Sequence, residues 1–182
     1  MAVTLLITKA DFLPYVDIPA NVDATKKLNM HIEHAQSFDL RPLLGDLFFY
    51  DLLKNSTDEK YQDLLNGKSY QVDGIEISFG GIKPVIVHFA TARLVPDISF
   101  QITPSGMFSK RNELSDPVDP REISRQVKNY ESLAIGYWQQ AISFLNGNTE
   151  TYTHWRTNRC GETTPGRVSG ARIYGLNSYG RG

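Results

Sequence analysis

The fold is decided by residues 120–146, PREISRQVKNYESLAIGYWQQAISFLN. Asp119 is suited to cap this segment, Pro120 to its first helical position and Glu122 to a capping box, while Asn146-Gly147 closes it. Apolar residues alternate at spacings of four and three, at Ile123, Val127, Tyr130, Ala134, Tyr137, Ala141 and Phe144. The spacing predicts a helix of about seven turns, with a stripe typical of a bundle core rather than of a cofactor site.

Two short helices are predicted near the N-terminus. Thr8 to Asp11 (TKAD) fit a capping box for the first, which Pro14 ends. Asp23 can cap the second, and its periodic apolar residues are Leu28, Ile32 and Ala35. We expect a break from Asp39 to Pro42 after this helix.

Two further helices follow the expected break. LLGDLFFYDLLKN (43–55) predicts a well-buried third helix, with one face formed by Leu43, Leu47, Phe48 and Leu52. A fourth, short helix begins at Asp58, extends through Leu65 and is closed by Asn66-Gly67.

Two β-hairpins are predicted, at 69–79 and 98–110. SYQVDGIEISF (69–79) alternates apolar and polar residues around Asp73-Gly74, a strong turn signal. The second hairpin alternates Ile98, Phe100 and Ile102 before a Pro-Ser-Gly turn. Each hairpin needs a surface to lie against, because two strands alone are marginally stable in water.

The segment between the hairpins, GIKPVIVHFATARLVP (81–96), is apolar on almost every side. VIVHF alone would also suit a buried strand. Pro84 near the start, alanines inside and Pro96 as a stop favour a central buried helix. The segment is too short and too charged to cross a bilayer.

The composition predicts one folded domain without a disulfide or a cysteine-rich zinc site. The chain has 182 residues, 41% of them apolar, and one cysteine, Cys160. The N-terminal MAVTLLITKADF lacks a basic start and reaches Asp11 quickly, so we expect no signal peptide and a soluble protein.

No residue pattern indicates catalysis, a metal or a cofactor, so we expect a protein that is not an enzyme. His31 and His34 are three residues apart without further ligands in a metal-binding spacing, which favours surface or capping histidines. His88 is interpreted as a core residue with its polar atoms satisfied, and His154 beside Trp155 as an anchor after the long helix.

The C-terminal segment differs from the rest in charge. Residues 151–182 contain five arginines and one glutamate, a net charge of +4, which leaves −5 for the remaining 150 residues of a chain with net charge −1. The closing SGARIYGLNSYGRG (169–182) has too little apolar area to order itself. It is predicted to be an interaction arm; a solvated tail without a role is the alternative.

The order of these segments and their amino-acid sequences resemble those of a known family. Helical segments read HIEHAQSFDLRPLLGDLFFYDLL, YQDLLNG and GGIKPVIVHFATARLV. ITPSGMFSK then precedes a long helix ending GYWQQAISFLN, with YTHW after it. Over residues 4–156 the chain resembles the head–tail connector (adaptor) proteins of tailed bacteriophages, especially those of Bacteroidetes phages, including crAss-like phages.

The resemblance implies a virion structural protein at the head–tail junction, assembled in the host cytoplasm. Such proteins form a ring, usually of twelve copies, beneath the portal, where they join capsid to tail and line the channel for genomic DNA. The implied partners are therefore other copies of the chain, the portal protein, adjoining ring or tail proteins and DNA, with no membrane. The predicted fold is mainly α, a helical bundle with two hairpin insertions (1–156); the extended arm (157–182) is predicted from its own residues, because the closing segment lies outside the resemblance.

Partner-binding residues are expected in the arm and the hairpins. The arm residues are Arg167, Arg172, Tyr174, Tyr179 and Arg181, and the hairpin residues are Tyr70, Val72, Ile75, Ile77, Met107 and Phe108. The arm arginines suit an acidic protein groove, or alternatively DNA phosphates. Two other functions stay open: a nucleic-acid-binding accessory protein that uses the basic arm, which the acidic body disfavours, and an unrecognised enzyme.

Overall fold

The computed structural model describes residues 4–18, 27–72, 74–103, 106–109 and 119–155, with backbone alone at 100–103 and 106–109. This part of the chain is mainly helical and carries two antiparallel hairpins, which confirms the predicted fold class. After a short 3-10 turn (Lys9–Phe12), the elements are α1 (Asn29–His34), α2 (Arg41–Leu44), α3 (Asp46–Lys54), α4 (Glu59–Asn66), β1 (Lys68–Val72), β2 (Ile75–Phe79), α5 (Lys83–Ser99), β3 (Phe100–Thr103), β4 (Gly106–Ser109) and α6 (Pro120–Gly147).

Helix α6 follows the sequence prediction along its whole length. The Asp119 side chain accepts a hydrogen bond from the Arg121 backbone N–H at 2.8 Å, which satisfies one donor of the first turn. All seven residues of the predicted stripe are buried or half-buried, and Ala134 and Ala141 have no exposed surface. Helix α6 packs chiefly on α5, whose His88 ring stacks on Tyr137 with centroids 5.3 Å apart.

Helix α5 is the central buried helix that the sequence predicts, but Pro96 does not end it. The helix continues to Ser99, whose hydroxyl donates to the Val95 carbonyl at 2.8 Å. Ile98 packs against the core, and this packing keeps the last turn helical although Pro96 contributes no N–H donor. The second hairpin therefore begins at Phe100, and the predicted start at residue 98 is wrong.

The predicted break from Asp39 to Pro42 is also wrong. A π-helical segment (Ala35–Leu40) joins α1 to α2, and the Arg41 N–H donates to the Gln36 carbonyl, five residues back. The wider turn carries the helical path past Pro42, which lies in the first turn of α2 and needs no N–H partner there. The helical path breaks at Gly45, where φ is +80° and ψ is 152°.

The break at Gly45 changes which face of α3 is buried. Phe48, Phe49 and Leu52 enter the core, whereas Leu47 is 70% exposed. Leu43 belongs to α2 and is half-buried. The predicted four-residue spacing from Leu43 to Leu47 fails because Gly45 separates the two helices and turns the second relative to the first.

The chain after α6 is anchored by Tyr152 and Trp155, whereas His154, which the sequence analysis pairs with Trp155 in the anchor, is exposed. The Tyr152 hydroxyl donates to the Lys60 carbonyl at 2.7 Å, and the Trp155 indole N–H donates to Asn146 Oδ1 at 2.9 Å. Both rings pack near Phe48, with centroids 6.0 Å from it. These contacts fix the end of α6 to α3 and α4.

The environments of two histidines differ from those that the sequence predicts. His31 is buried rather than on the surface, with Nε2 at 3.4 Å from Asp97 Oδ2. His88 is buried as expected, but no atom of the described residues forms a hydrogen bond with its Nδ1 or with Nδ1 of His31. Burial lowers the pKa of both side chains, although Asp97 raises that of His31 in part.

We expect the stability of the domain to fall as the pH drops below the ordinary histidine pKa of 6.5. Below that value the unfolded chain binds protons that His31 and His88 resist in the folded state, so protonation favours unfolding. Thermal melts at pH 7.5 and pH 5 should show a smaller acid-induced loss for His88→Phe than for wild type. His154→Gln, at an exposed site, serves as the control; an unchanged acid-induced loss in His88→Phe would contradict this assignment.

Candidate functional site

The first hairpin projects from the bundle between α4 and α5. Strands β1 and β2 pair from Lys68 with Phe79 at the base to Val72 with Ile75 at the tip, which leaves a two-residue turn. Gly74 in this turn has φ +81°, a backbone conformation that favours glycine. The hairpin predicted at 69–79 is thus confirmed, with strands that extend over 68–79.

One face of this hairpin is apolar except for Lys68, which lies opposite Phe79 at the base. At the base, the Phe79 ring stacks on Phe144 of α6 with centroids 4.3 Å apart, and the Tyr70 ring meets Phe144 edge-on at 5.2 Å. Toward the tip the same face continues into solvent, and its residues Val72, Ile75 and Ile77 are exposed. We call these three residues the hairpin face. Ile75 is 68% exposed, which is unusual for an isoleucine on a strand.

Two glycines hold the root of the hairpin. Gly67, with φ +95°, follows α4, and Gly81, with φ +84°, precedes α5. A Cβ atom on Gly67 would lie closer than 3.0 Å to the Phe79 carbonyl oxygen, and one on Gly81 equally close to the Leu65 carbonyl oxygen. A hydrogen bond of 2.9 Å from the Ile82 N–H to the Leu64 carbonyl closes the crossing. The two backbones therefore touch at the root.

The structure describes only some of the other predicted contact residues. Tyr70 is half-buried against α6 of its own chain, so its ring serves the domain as well as the hairpin face. Met107 and Phe108 lie on β4, opposite Ile102 and Gln101 of β3. The arm residues Arg167, Arg172, Tyr174, Tyr179 and Arg181 lie outside the described residues, as do Asp23 and Cys160.

A second exposed surface was missed by sequence reasoning. Leu47, Tyr50 and Lys54 follow one another at spacings of three and four on α3, and all three are exposed. The Arg41 guanidinium lies over the Tyr50 ring, 5.2 Å from its centroid, and its Nε bonds Asp46 at 2.8 Å. We call Arg41, Leu47, Tyr50 and Lys54 the α3 patch. Gly45 between Leu43 and Leu47 was the available signal, because glycine can end one helix and begin another.

Within the described ranges, no group of histidine, cysteine, aspartate and glutamate side chains is arranged to hold a metal ion. None of the described helices combines the length and the apolar character that a bilayer crossing demands.

Comparison with known proteins identifies one family. A family model described as "Family of unknown function (DUF6712)" matches residues 40–165, more than half of the chain. No curated protein and no solved structure matches.

Proposed function

The chain belongs to the DUF6712 family. We propose that it is a virion structural protein that forms a head–tail connector ring in tailed bacteriophages. In this proposal the ring lies beneath the portal, joins capsid to tail and surrounds the channel for genomic DNA. The proposal combines the resemblance over residues 4–156 with an exposed apolar surface that a subunit can offer to its neighbours.

The hairpin face is the observation that carries the proposal. Val72, Ile75 and Ile77 continue an apolar surface that begins in the core at Phe79, and 39%, 68% and 38% of their respective surfaces remain exposed in the described chain. Apolar side chains on an exposed strand mark contact sites or aggregation hazards, and the rigid root at Gly67 and Gly81 favours a contact site held in a fixed direction.

A genetic test addresses the place of the protein in the particle. Inactivating its gene in a phage that carries it should leave DNA-filled heads and free tails that do not join, visible by negative-stain microscopy. Cryo-electron microscopy of intact particles should locate the chain between portal and tail. Complete, infectious particles that lack the chain would refute the proposed function.

Ile77→Asp should leave the domain folded but weaken ring or particle assembly at least about tenfold. Ile77 is exposed in the free subunit, so aspartate costs little there, whereas an unpaired carboxylate at a desolvated apolar contact is costly. Ser78→Asp is the matched control, because it adds the same charge one residue away on the polar face of the same strand. Circular dichroism checks the fold, and complementation of the inactivated gene measures assembly; equal assembly of the two variants would refute the role of the hairpin face.

A further inference from the structure

The first described residues of the chain lie on the bundle as a bound peptide would. Within residues 4–18 the only regular element is the short 3-10 turn. Leu6, Ile7 and Phe12 nevertheless enter the hydrophobic core, and all three are buried. Apolar anchors on an otherwise irregular segment are a common way for a protein to hold a peptide. We call residues 4–18 the N-terminal segment.

The bundle recognises the backbone of this segment through one fully buried side chain, Gln36. Its Oε1 accepts a hydrogen bond from the Leu6 N–H at 2.7 Å, and its Nε2 donates to the Thr4 carbonyl at 3.1 Å. The side-chain amide thus pairs with the segment as a peptide group of a neighbouring strand would. Because both bonds go to main-chain atoms at least 30 residues away in sequence, the segment of another copy would satisfy them equally well.

An ion pair sets the position of the segment on the bundle. Lys83 Nζ, in the first turn of α5, lies 2.7 Å from Asp11 Oδ1, and both side chains are largely buried. The other oxygen of this carboxylate accepts from the Thr8 N–H at 2.8 Å, which holds it in place. We call the surface around Gln36 and Lys83 the N-terminal groove. The segment and the groove are therefore complementary in apolar anchors, backbone hydrogen bonds and charge.

A complementary segment and groove on every copy are what a closed ring requires. In a ring of more than two copies, each subunit meets its two neighbours through two different surfaces. The inference rests here on the proposed function, which supplies the ring. A segment that fills the groove of the next copy joins subunits head to tail through contacts that the fold already contains, in addition to any contact of the hairpin face.

The connection between the segment and the bundle is long enough for this exchange. Ile18 and Lys27, the described residues on its two sides, are nine residue steps apart, and nine fully extended residues span about 30 Å. A folded domain of about 150 residues has a radius of gyration of about 15 Å. The connection can therefore reach a groove on a subunit that is in contact.

Two exposed apolar residues lie where an exchanged segment would leave the groove. Leu13, which directly follows the buried Phe12, is 72% exposed, and Tyr15 is 38% exposed. The Tyr15 ring meets Tyr137 of α6 edge-on, with centroids 6.1 Å apart. Two bundles that exchange segments meet at this crossing, so the neighbouring subunit would cover both exposed side chains.

We propose that the N-terminal segment of each subunit fills the N-terminal groove of the next subunit in the ring. Leu6, Ile7 and Phe12 of one subunit then enter the core of its neighbour. Asp11 pairs with Lys83 across the subunit boundary. The occupant of the groove is thus the same segment of a second copy of the chain.

Cysteine cross-linking distinguishes exchange from a segment that stays on its own bundle. The full chain carries Asp11→Cys and Lys83→Cys, with Cys160→Ser to remove the native thiol, and phage particles that contain it are treated with a short bismaleimide. Exchange should give a ladder of covalently joined chains in denaturing gel electrophoresis. A segment on its own bundle gives cross-links within single chains and no ladder. The two single-cysteine variants are the controls and should give no ladder.

Charge reversal at the same ion pair gives a second test. Asp11→Lys alone and Lys83→Asp alone each place like charges face to face and should lower complementation of the inactivated gene at least about tenfold. Co-expression of the two variants should restore it, because each segment then meets a groove of opposite charge on the other variant. The double variant in one chain is the control, since it restores the pair with or without exchange. Circular dichroism checks that each variant is folded.

Cross-links confined to single chains, or co-expression that restores nothing, would overturn the inference. Either result leaves the proposed function standing if microscopy places the chain between portal and tail. Conversely, a ladder obtained from the concentrated pure chain, together with particles that lack the chain, would refute the connector role and leave the exchange of segments standing.

Discussion

Ala134→Glu is expected to unfold the domain or lower its stability by ~3–5 kcal/mol. Ala134 lies at the middle of the α6 stripe with 0% of its surface exposed, against α5. A glutamate there must either bury an uncompensated carboxylate or push the two helices apart. Because globular domains are typically stable by about 5–15 kcal/mol, a loss of this size threatens folding.

The measurement is urea unfolding followed by circular dichroism, with Leu133→Glu as the control. Leu133 is the preceding residue on the same helix and is exposed, so glutamate there should change the free energy of unfolding little. If Ala134→Glu unfolds at the same urea concentration as Leu133→Glu, the stripe does not form the core.

Gly67→Ala is the second substitution with a large expected effect. Its φ of +95° and ψ of 156° lie in a region that non-glycine residues almost never adopt, which costs ~1–3 kcal/mol. The added Cβ would also collide with the Phe79 carbonyl oxygen, and relieving that overlap costs ~1–3 kcal/mol more. Both penalties fall at the root of the hairpin.

Two other glycines separate these contributions. Gly45 has nearly the same backbone conformation, φ +80° and ψ 152°, but a Cβ there would meet nothing within 4 Å. Gly45→Ala should therefore show the backbone cost alone. Gly80→Ala, also in open space and without a positive φ, should be close to neutral. Equal unfolding free energies for the Gly67 and Gly45 variants would contradict the close backbone approach.

The sequence predicts best where one strong local pattern spans a whole element. The seven residues of the predicted α6 stripe all lie on the buried side, because one uninterrupted helix preserves the spacing, although Trp138 and Leu145 beside the stripe are buried as well. The β1–β2 hairpin is equally local, since Asp73-Gly74 and the alternation around it define the register. The tip of that hairpin, with Ile75 and Ile77, is also part of the candidate site that the sequence predicts.

The remaining features depend on contacts that are distant in sequence or on a change of helical phase. His31 is buried because α1 packs on α5, where Asp97 lies 66 residues further along the chain. Leu47 is exposed because Gly45 reorients α3, so the α3 patch is invisible to a spacing rule that runs through the break. Pro96 stays inside α5 because Ile98 packs against the core, which local propensity does not reveal.

The root at Gly67 and Gly81 has a geometric consequence for any circular assembly. In a ring, an angular error at one contact is repeated at every contact, so it accumulates around the circle and prevents closure. A hairpin with a flexible root could adopt different angles in different subunits, and such errors would then add up. Because two peptide backbones touch at its root, this hairpin leaves the subunit at one angle, so a ring built through the hairpin, as proposed, would take its curvature from the monomer.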